Sequence, residues 1–432
     1  MSDAVSDTAN GTGGTADGPA NGPAGGAADG PAGGDASLRP LGDLRVVEMG
    51  QLLAGPFCGQ LLGDFGAEVI KIEPPGSGDP MREWGREKPH GKSLWWPILA
   101  RNKKSITCDL RTPQGQALAR RVIAEADVLV ENFRPGTLER WGLAPADLHA
   151  ENPGLIITRV TGYGQDGPYA PRAGFGSIGE AMGGIRYVTG DPDKPPSRAG
   201  ISLGDELAGT FAALGTLVAL HARRRTGRGQ IVDAALYEAV LAMMESLIPE
   251  WEIAGYQRER TGSVLPNVAP SNVYPTKDGP VLIAANRDTI WRRLAEVMGR
   301  PELADDERFA THGARGAHAE ELDDLIAGWT AGQESAALLE TLHANGIPAG
   351  LTYRAKDMLA DPHYRAREAI IRLAHPEFGE FPMHNVFPKL SQTPGKVRSL
   401  GPSLGQHNAE VYGGLLGLSD EELSALEAAG TI

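Results

Sequence analysis

Two adjacent acids, Asp205 and Glu206, open one of the most apolar stretches of the chain, GISLGDELAGTFAALGTLVAL from Gly200 to Leu220. A carboxylate at a helix start has two readings. It suits the positive end of the helix macrodipole and the unpaired N–H groups of the first turn. It can also serve as a nucleophile. The stretch alone leaves both open. A second set of residues is Arg111 in CDLR, Asn132 and Arg134 in ENFRPG, and Arg140 a few residues later. Any one of these arginines reads most simply as a solvated loop cation. Gathered at one sheet edge they would suit a phosphate-bearing ligand, because guanidinium pairs with phosphate in a fork.

The elements around these residues alternate. LRVVEMG, AEVIKIE, KSITCDL, DVLVENF and LIITRVTGYG read as buried strands, with helices from about Pro56 to Phe65, in PQGQALARRVIAEA and in TLERWGL between them. Such alternation implies βαβ units, an α/β fold and a mostly parallel sheet, which binds ligands at the carboxyl ends of its strands. The apolar helix that begins near Asp205 ends in RRRTGRGQ, where Gly227 and Gly229 are plausible stops. IVDAALYEAVLAMMESLIPEWEIAGY reads as a strand running into one long helix. VYPTKDGPVLIAA reads as two short strands around a turn, followed by three helices in 288–346. The remainder has helical stretches and Pro/Gly breaks. No GxGxxG follows the first strand, and GxxxxGK[ST], HExxH and GxSxG are missing, which disfavours nicotinamide enzymes, P-loop NTPases, zincins and α/β-hydrolases. The scattered histidines suggest no metal site.

The 432 residues exceed what one core usually holds, so more than one domain is expected. Lys and Arg number 41 against 55 Asp and Glu, a formal charge of -14, which argues against nucleic-acid binding and leaves any anionic ligand to local cations. Two cysteines, Cys58 and Cys108, suggest no disulfide framework and fit a reducing cytoplasm. No uninterrupted apolar run is long enough to span a bilayer, and the N-terminus lacks a secretory pattern. Residues 1–37 are Ala, Gly, Pro, Asp and Thr with almost no large apolar side chains; they read as a disordered tail.

The chain resembles the class III CoA-transferases, the group that includes formyl-CoA transferase and the carnitine CoA-transferases. The resemblance rests on AGPFCGQLLGDFGAEVIKIEPPGSGD, RNKKSITCDL, ADVLVENFRPGTLERWGL, NPGLIITRVTGYGQDGPY, EAMGGIRYVTG, PPSRAGISLGDELAG and RTGRGQIVDAALYEAV, which cover about 42–250 almost without a break. It implies a large Rossmann-like domain formed by 38–255 and completed by 351–432, a small α+β domain from 256–350, and an interlocked homodimer. It also implies the activity: CoA moves from an acyl-CoA donor to a carboxylic acid, both serving as substrates, with no permanently bound cofactor. By the same resemblance Asp205 is the nucleophile, forming first a mixed anhydride and then an aspartyl-CoA thioester, and the helix start would keep it ionised. Glu206 is then a first-turn acid. The positions matching Cys108, Asp109, Leu110, Arg111, Asn132, Phe133, Arg134 and Arg140 line the CoA nucleotide in the family, with Arg111 and Arg140 on the phosphates.

The chain departs from the family pattern in places. Pro74 stands where an Arg often contacts CoA. Leu53 and Ala54 replace a Gln–Ser pair of formyl-CoA transferase, Ala173 and Gly176 replace its active-site Lys and Glu, and the glycine-rich lid shrinks to RTGSVLP. Oxalate and formate are therefore not expected as substrates; a dicarboxylic or branched acid is, with Arg159, Arg172 or Arg198 as candidate cations for a second carboxylate. The related 2-methylacyl-CoA racemases carry an Asp at the position of Gly176, and glycine cannot act as a general base there. A racemase or isomerase, and a non-catalytic CoA-binding protein in which Asp205 only starts a helix, are the alternatives.

Overall fold

Six short runs rich in Val and Ile form one parallel sheet: β1 (Arg45–Glu48), β2 (Glu68–Glu73), β3 (Lys103–Thr107), β4 (Val128–Glu131), β5 (Ile156–Thr161) and β6 (Ile231–Ala235). These elements belong to a computed structural model that describes residues 39–432; the tail read at 1–37 lies outside the described residues. The strand order is β3-β2-β1-β4-β5-β6, so the winding reverses between β1 and β4. Successive residues feed opposite faces. Val47, Ile70, Ile106, Leu129 and Ile157 share one core, whereas Val46, Val69, Val128 and Ile156 share the other. A parallel sheet covered on both faces requires such near-continuous apolar strands.

The helices α1 (Ala54–Asp64), α2 (Pro113–Ala124), α3 (Thr137–Arg140), α4 (Gly176–Met182) and α5 (Leu203–Thr226) flank or cap this sheet. In α2 the Thr112 hydroxyl accepts the Gly115 N–H at 3.1 Å, an N-cap that fixes where the helix starts. The chain's last residues return to the same body. Val411, Tyr412, Leu423, Leu426 and Ile432 fill the core on one face of the sheet. His407 N–H donates to the Ser105 carbonyl at 2.9 Å, and Thr107 N–H donates to Asn408 Oδ1 at 2.9 Å. The C-terminal segment thereby covers the edge that β3 would otherwise expose.

One expectation needs correction. The long helix after β6 is broken into α6 (Leu236–Leu241) and α7 (Leu247–Ala254), with Glu245 at φ +52° between them. Pro249 explains the break: its ring cannot continue a helix past the carbonyl four residues back, which belongs to Glu245, so the helix restarts two residues before it. α5 is long and apolar enough, by length and composition, to cross a membrane, at mean hydropathy 1.3. Its Ala208, Ala212, Ala213, Ala219 and Leu220 face is buried against α1 and the sheet.

A further core is built from residues 269–349. It contains an antiparallel sheet of β7 (Ser271–Tyr274), β8 (Val281–Ala284) and β9 (Ala349–Leu351), packed on helices α8 (Asp288–Val297), α9 (Ala319–Thr330) and α10 (Ser335–Ala344) through Trp291, Phe309, Leu322 and Leu338. The stretch beyond 351 also holds an antiparallel hairpin, β10 (Ile370–His375) with β11 (Gly379–His384), where only broken helices were expected. Its turn is held by His375 Nδ1, which accepts the Glu377 and Phe378 N–H groups at 3.1 and 3.3 Å, and closes at Gly379, whose φ of +70° favours glycine.

Candidate active site

Small residues let the helices that carry the acids lie close. Gly209 sets α5 against the start of α1; a Cβ there would come within 2.7 Å of the Ala54 carbonyl oxygen. At its far end α5 stops at Gly227, whose φ of +69° closes the last turn through a Gly227 N–H to Arg223 carbonyl bond of 2.8 Å. At its near end Ser202 provides no side-chain cap, and the Gly204 N–H instead donates to Glu180 Oε1 of α4 at 3.3 Å. Asp205 follows at once and lies directly on α4. A Cβ at Gly176 would fall 2.1 Å from Asp205 Oδ2, so the carboxyl group occupies the space a side chain at 176 would need.

The half-buried Asp205 carboxyl is pushed up to about 6, first by burial and then by the neighbouring charges of Glu180 and Glu206; Arg198 opposes the rise. The helix start thus does not hold this acid at the ordinary aspartate value, because desolvation and two carboxylates outweigh the helix end, and it remains the charged nucleophilic form at neutral pH. Burial also raises Glu206. Arg198, exposed, donates from Nη2 to the Ile201 carbonyl and Ser202 Oγ, both at 3.2 Å, which places its guanidinium at the Asp205 end of α5.

The carboxyl ends of β1 to β4 enclose a cavity of about 330 Å³ lined by Met49, Gln51, Pro74, Asp109, Arg111 and Trp141, among others. Of the eight residues expected to line a nucleotide, Cys108, Asp109, Leu110, Arg111 and Phe133 border it, and Asn132, Arg134 and Arg140 do not. Cys108 contributes position rather than reactivity: its thiol donates to the Gly115 carbonyl at 3.1 Å, and burial pushes it up to about 12. Arg111 is exposed and folded back on Asp109, Nε to Oδ1 at 2.8 Å. Phe133 and Trp141 meet edge to face with centroids 5.0 Å apart. Arg134 and Arg140 are exposed, and Arg140 Nη2 donates to Thr137 Oγ1 at 2.8 Å.

Asn132 works by another route. Its Oδ1 accepts the Gln51 N–H and its Nδ2 donates to the Gln51 carbonyl, both at 2.8 Å. It thus clamps the turn between β1 and α1. Leu52, at φ +64°, is held on the other side by its N–H to Asp79 Oδ1 at 3.1 Å. Beneath the turn lies a buried charge cluster that reading the sequence missed. Lys71 Nζ reaches Glu48 Oε1, Asp79 Oδ2 and the Gly50 carbonyl at 2.9, 2.8 and 2.7 Å. Lys103 Nζ reaches Glu48 Oε2 at 2.8 Å and the Pro56 carbonyl at 2.6 Å. Its available signal was a charge inside strands otherwise built for a two-sided core, as in EVIKIE. Glu180 was missed as well, since its partner Gly204 lies 24 residues on.

The three arginines proposed for a second carboxylate separate. Arg159 is buried and already paired, Nε to Glu131 Oε1 at 2.6 Å and Nη1 to Glu139 Oε1 at 3.0 Å, so it braces β4 against α3 and is withdrawn as an acceptor contact. Arg172 stacks over the Tyr169 ring at 3.6 Å. Arg198 alone lies beside Asp205. The cavity and Asp205 flank the same α1 start: Ala54 touches α5 through Gly209, and Gly55 packs on Asn132, whose Cβ would be 3.3 Å from a Cβ at 55. Asp205 itself does not line the cavity.

The model of CoA-transferase family III matches residues 41–408. This chain belongs to that family. It is 63% identical over 391 residues to a succinyl-CoA–D-citramalate CoA-transferase of Chloroflexus aurantiacus, covering 90% of this chain and 97% of the relative. It is 42% identical to the beta subunit of a succinyl-CoA–L-malate CoA-transferase of the same organism, again covering 90% and 97%. The crystal structure of a CAIB/BAIF family protein from Brucella suis superposes with a TM-score of 0.78 at 37% identity, covering 87% of this chain and 99% of that one. The protein is a CoA-transferase, and an acyl-CoA thioester and a carboxylate are what such an enzyme acts on.

Proposed function

We propose that this family III enzyme moves CoA from succinyl-CoA to a hydroxylated dicarboxylic acid of the citramalate or malate kind, with Asp205 as covalent nucleophile. The observation that carries the mechanism is the Asp205 carboxyl resting on Gly176 and facing no side chain at that position. An Asp205 oxygen attacks the thioester carbonyl, the C–S bond breaks, and CoA leaves as thiolate. The thiolate then attacks the aspartyl carbonyl of the anhydride, releasing the donor acid and leaving an aspartyl-CoA thioester. The acceptor carboxylate attacks that thioester carbon, and the released thiolate takes the acyl group from the second anhydride, restoring Asp205. Only a carboxylic acid can form the exchanging anhydride, and splitting one transfer into several steps is what covalent catalysis supplies.

The remaining roles follow from position. The cavity at the strand ends takes the CoA nucleotide, with Phe133 and Trp141 against the base and Arg111 and Arg140 turning from their present partners to the phosphates. Asn132 serves by fixing the Gln51 turn. Arg198 takes the distal carboxylate of the succinyl group or the acceptor. Residues 38–255 and 351–432 form the CoA-binding body, 256–350 the smaller domain, and the working unit is a homodimer in the cytoplasm that needs no resident cofactor. The racemase alternative finds no base at Gly176, and a side chain there would displace Asp205.

Incubation with succinyl-CoA and a panel of acids, read by mass for new CoA esters, tests the assignment. Citramalate or malate should accept CoA. Asp205→Asn should abolish turnover and the hydroxylamine-trappable adduct while CoA binding persists. Transfer by the Asn variant at wild-type rate, or epimerisation of a 2-methylacyl-CoA without transfer, overturns it.

A further inference from the structure

Glu180 is one of few carboxylates buried almost completely in this protein, at 2% exposure, and nothing in the transfer steps above uses it. It sits on α4 four residues after Gly176, hence one turn along the same helix face. Gly176 carries the Asp205 carboxyl, and Glu180 reaches the adjacent backbone of α5. Its Oε1 accepts the Gly204 N–H at 3.3 Å and its Oε2 accepts Arg186 Nε at 2.9 Å. Arg186, in the short helix after α4, is itself only about a quarter exposed. Both oxygens are therefore held, and the carboxylate cannot swing away from α5.

We propose that Glu180, locked by Arg186 and the Gly204 amide, is a positioning residue that keeps a fixed negative charge beside Asp205 and thereby favours the acylated, uncharged states of that carboxyl. The inference rests on the covalent reading above. In the resting enzyme two carboxylates share a partly desolvated site, which costs free energy because neither can be fully screened. When an Asp205 oxygen bonds to the acyl carbon, the C–S bond breaks, the negative charge departs on the CoA sulfur, and the repulsion is relieved. Glu180 itself neither gains nor loses a proton or a bond. The charged groups facing Asp205 among the described residues are Glu180 from α4, Glu206 from its own helix and Arg198 from the preceding loop. Of these only Glu180 is buried and pinned at both oxygens, so its charge is the one with a fixed place. Its hydrogen bond to Gly204 adds the second half of the role, because it settles the first turn of α5 from which Asp205 projects.

Glu180→Gln keeps the shape and the Gly204 acceptor and removes the charge. The pH profile of kcat/KM for succinyl-CoA should show an acid limb near 6 in the wild type. In E180Q that limb should move down by roughly half a unit to one unit, and the fraction of enzyme trapped by hydroxylamine in succinyl-CoA alone should fall several-fold. Arg186→Met, which leaves Glu180 less neutralised, should move the limb up. Should one variant fail to fold, as judged by its melting transition, the other carries the test alone. An acid limb and trapped fraction unchanged from wild type in the folded variants overturn the proposal. A wild type that never carries an adduct at Asp205 overturns instead the covalent reading beneath it.

Discussion

Asp205 shows how a single carboxyl is governed by its neighbours. Burial, Glu180 and Glu206 raise it to about 6 in the folded protein, against about 4 for an exposed aspartate. The folded state therefore binds protons more readily than the unfolded chain between these values. Stability falls as pH climbs through that window and stays lower above it. Asp205→Asn removes the charge, so the variant should melt higher than wild type at pH 7–8, by roughly 1–2 kcal/mol after allowing for partial solvent screening, with the difference vanishing below about pH 4. Thermal melts across pH check this; a variant less stable than wild type at pH 8 contradicts the assigned environment. Such a gain in stability on removing a functional group is the expected trade where a site holds its charges against their own preference.

At the scale of elements, the turn between β1 and α1 borders the cavity proposed for CoA. Asn132 grips the Gln51 backbone on both sides, Asp79 takes the Leu52 N–H, and the Lys71–Glu48–Lys103 cluster closes the space below. Asn132→Ala leaves the Gln51 N–H and carbonyl without these partners, a loss of about 1–3 kcal/mol. Because the turn borders the cavity, KM for succinyl-CoA should rise about tenfold or more while the adduct at saturating succinyl-CoA persists. A fall in the trapped adduct with KM unchanged would place Asn132 in the acylation step instead. Cys58 and Cys108 are buried and held as thiols at about 12, so thiol reagents should leave the folded enzyme active.

At the scale of the whole molecule, large apolar side chains remain exposed on α4, α5 and α7. Leu214 and Val218 on α5, Met182 on α4, and Ile248, Trp251 and Ile253 on α7 are each more than two-fifths exposed, Ile253 at 84%. α4 and α5 both pack on α6. A soluble monomer rarely presents so much apolar surface together, and a stable interface buries on the order of 1,200–2,000 Å². The proposed homodimer would cover this surface. Leu214→Lys with Val218→Lys should shift the sedimentation profile from dimer toward monomer or aggregate, and a wild type that sediments as a monomer at micromolar concentration excludes the dimer.

Much of this was legible in the chain itself, and for a local reason. Strands such as RVVE and EVIKIE, the helix in PQGQALARRVIA and the small-residue spacing of α5 carry their periodicity within a dozen residues, so element type follows from short-range sterics and burial. The family pattern around LGDELAG and ENFRPG is likewise local, and it brought Asp205 and the candidate CoA-lining residues into view. What only the tertiary structure decided depends on contacts between distant segments. Asn132 turned out to hold Gln51, 81 residues away, and Arg159 to serve Glu131 and Glu139. The Asp205 carboxyl is raised above the ordinary aspartate value by burial first and then by Glu180, an acid that no helix-start rule counts. Desolvation and charge coupling act through space in a low-dielectric interior, and a linear pattern does not state which groups will share it.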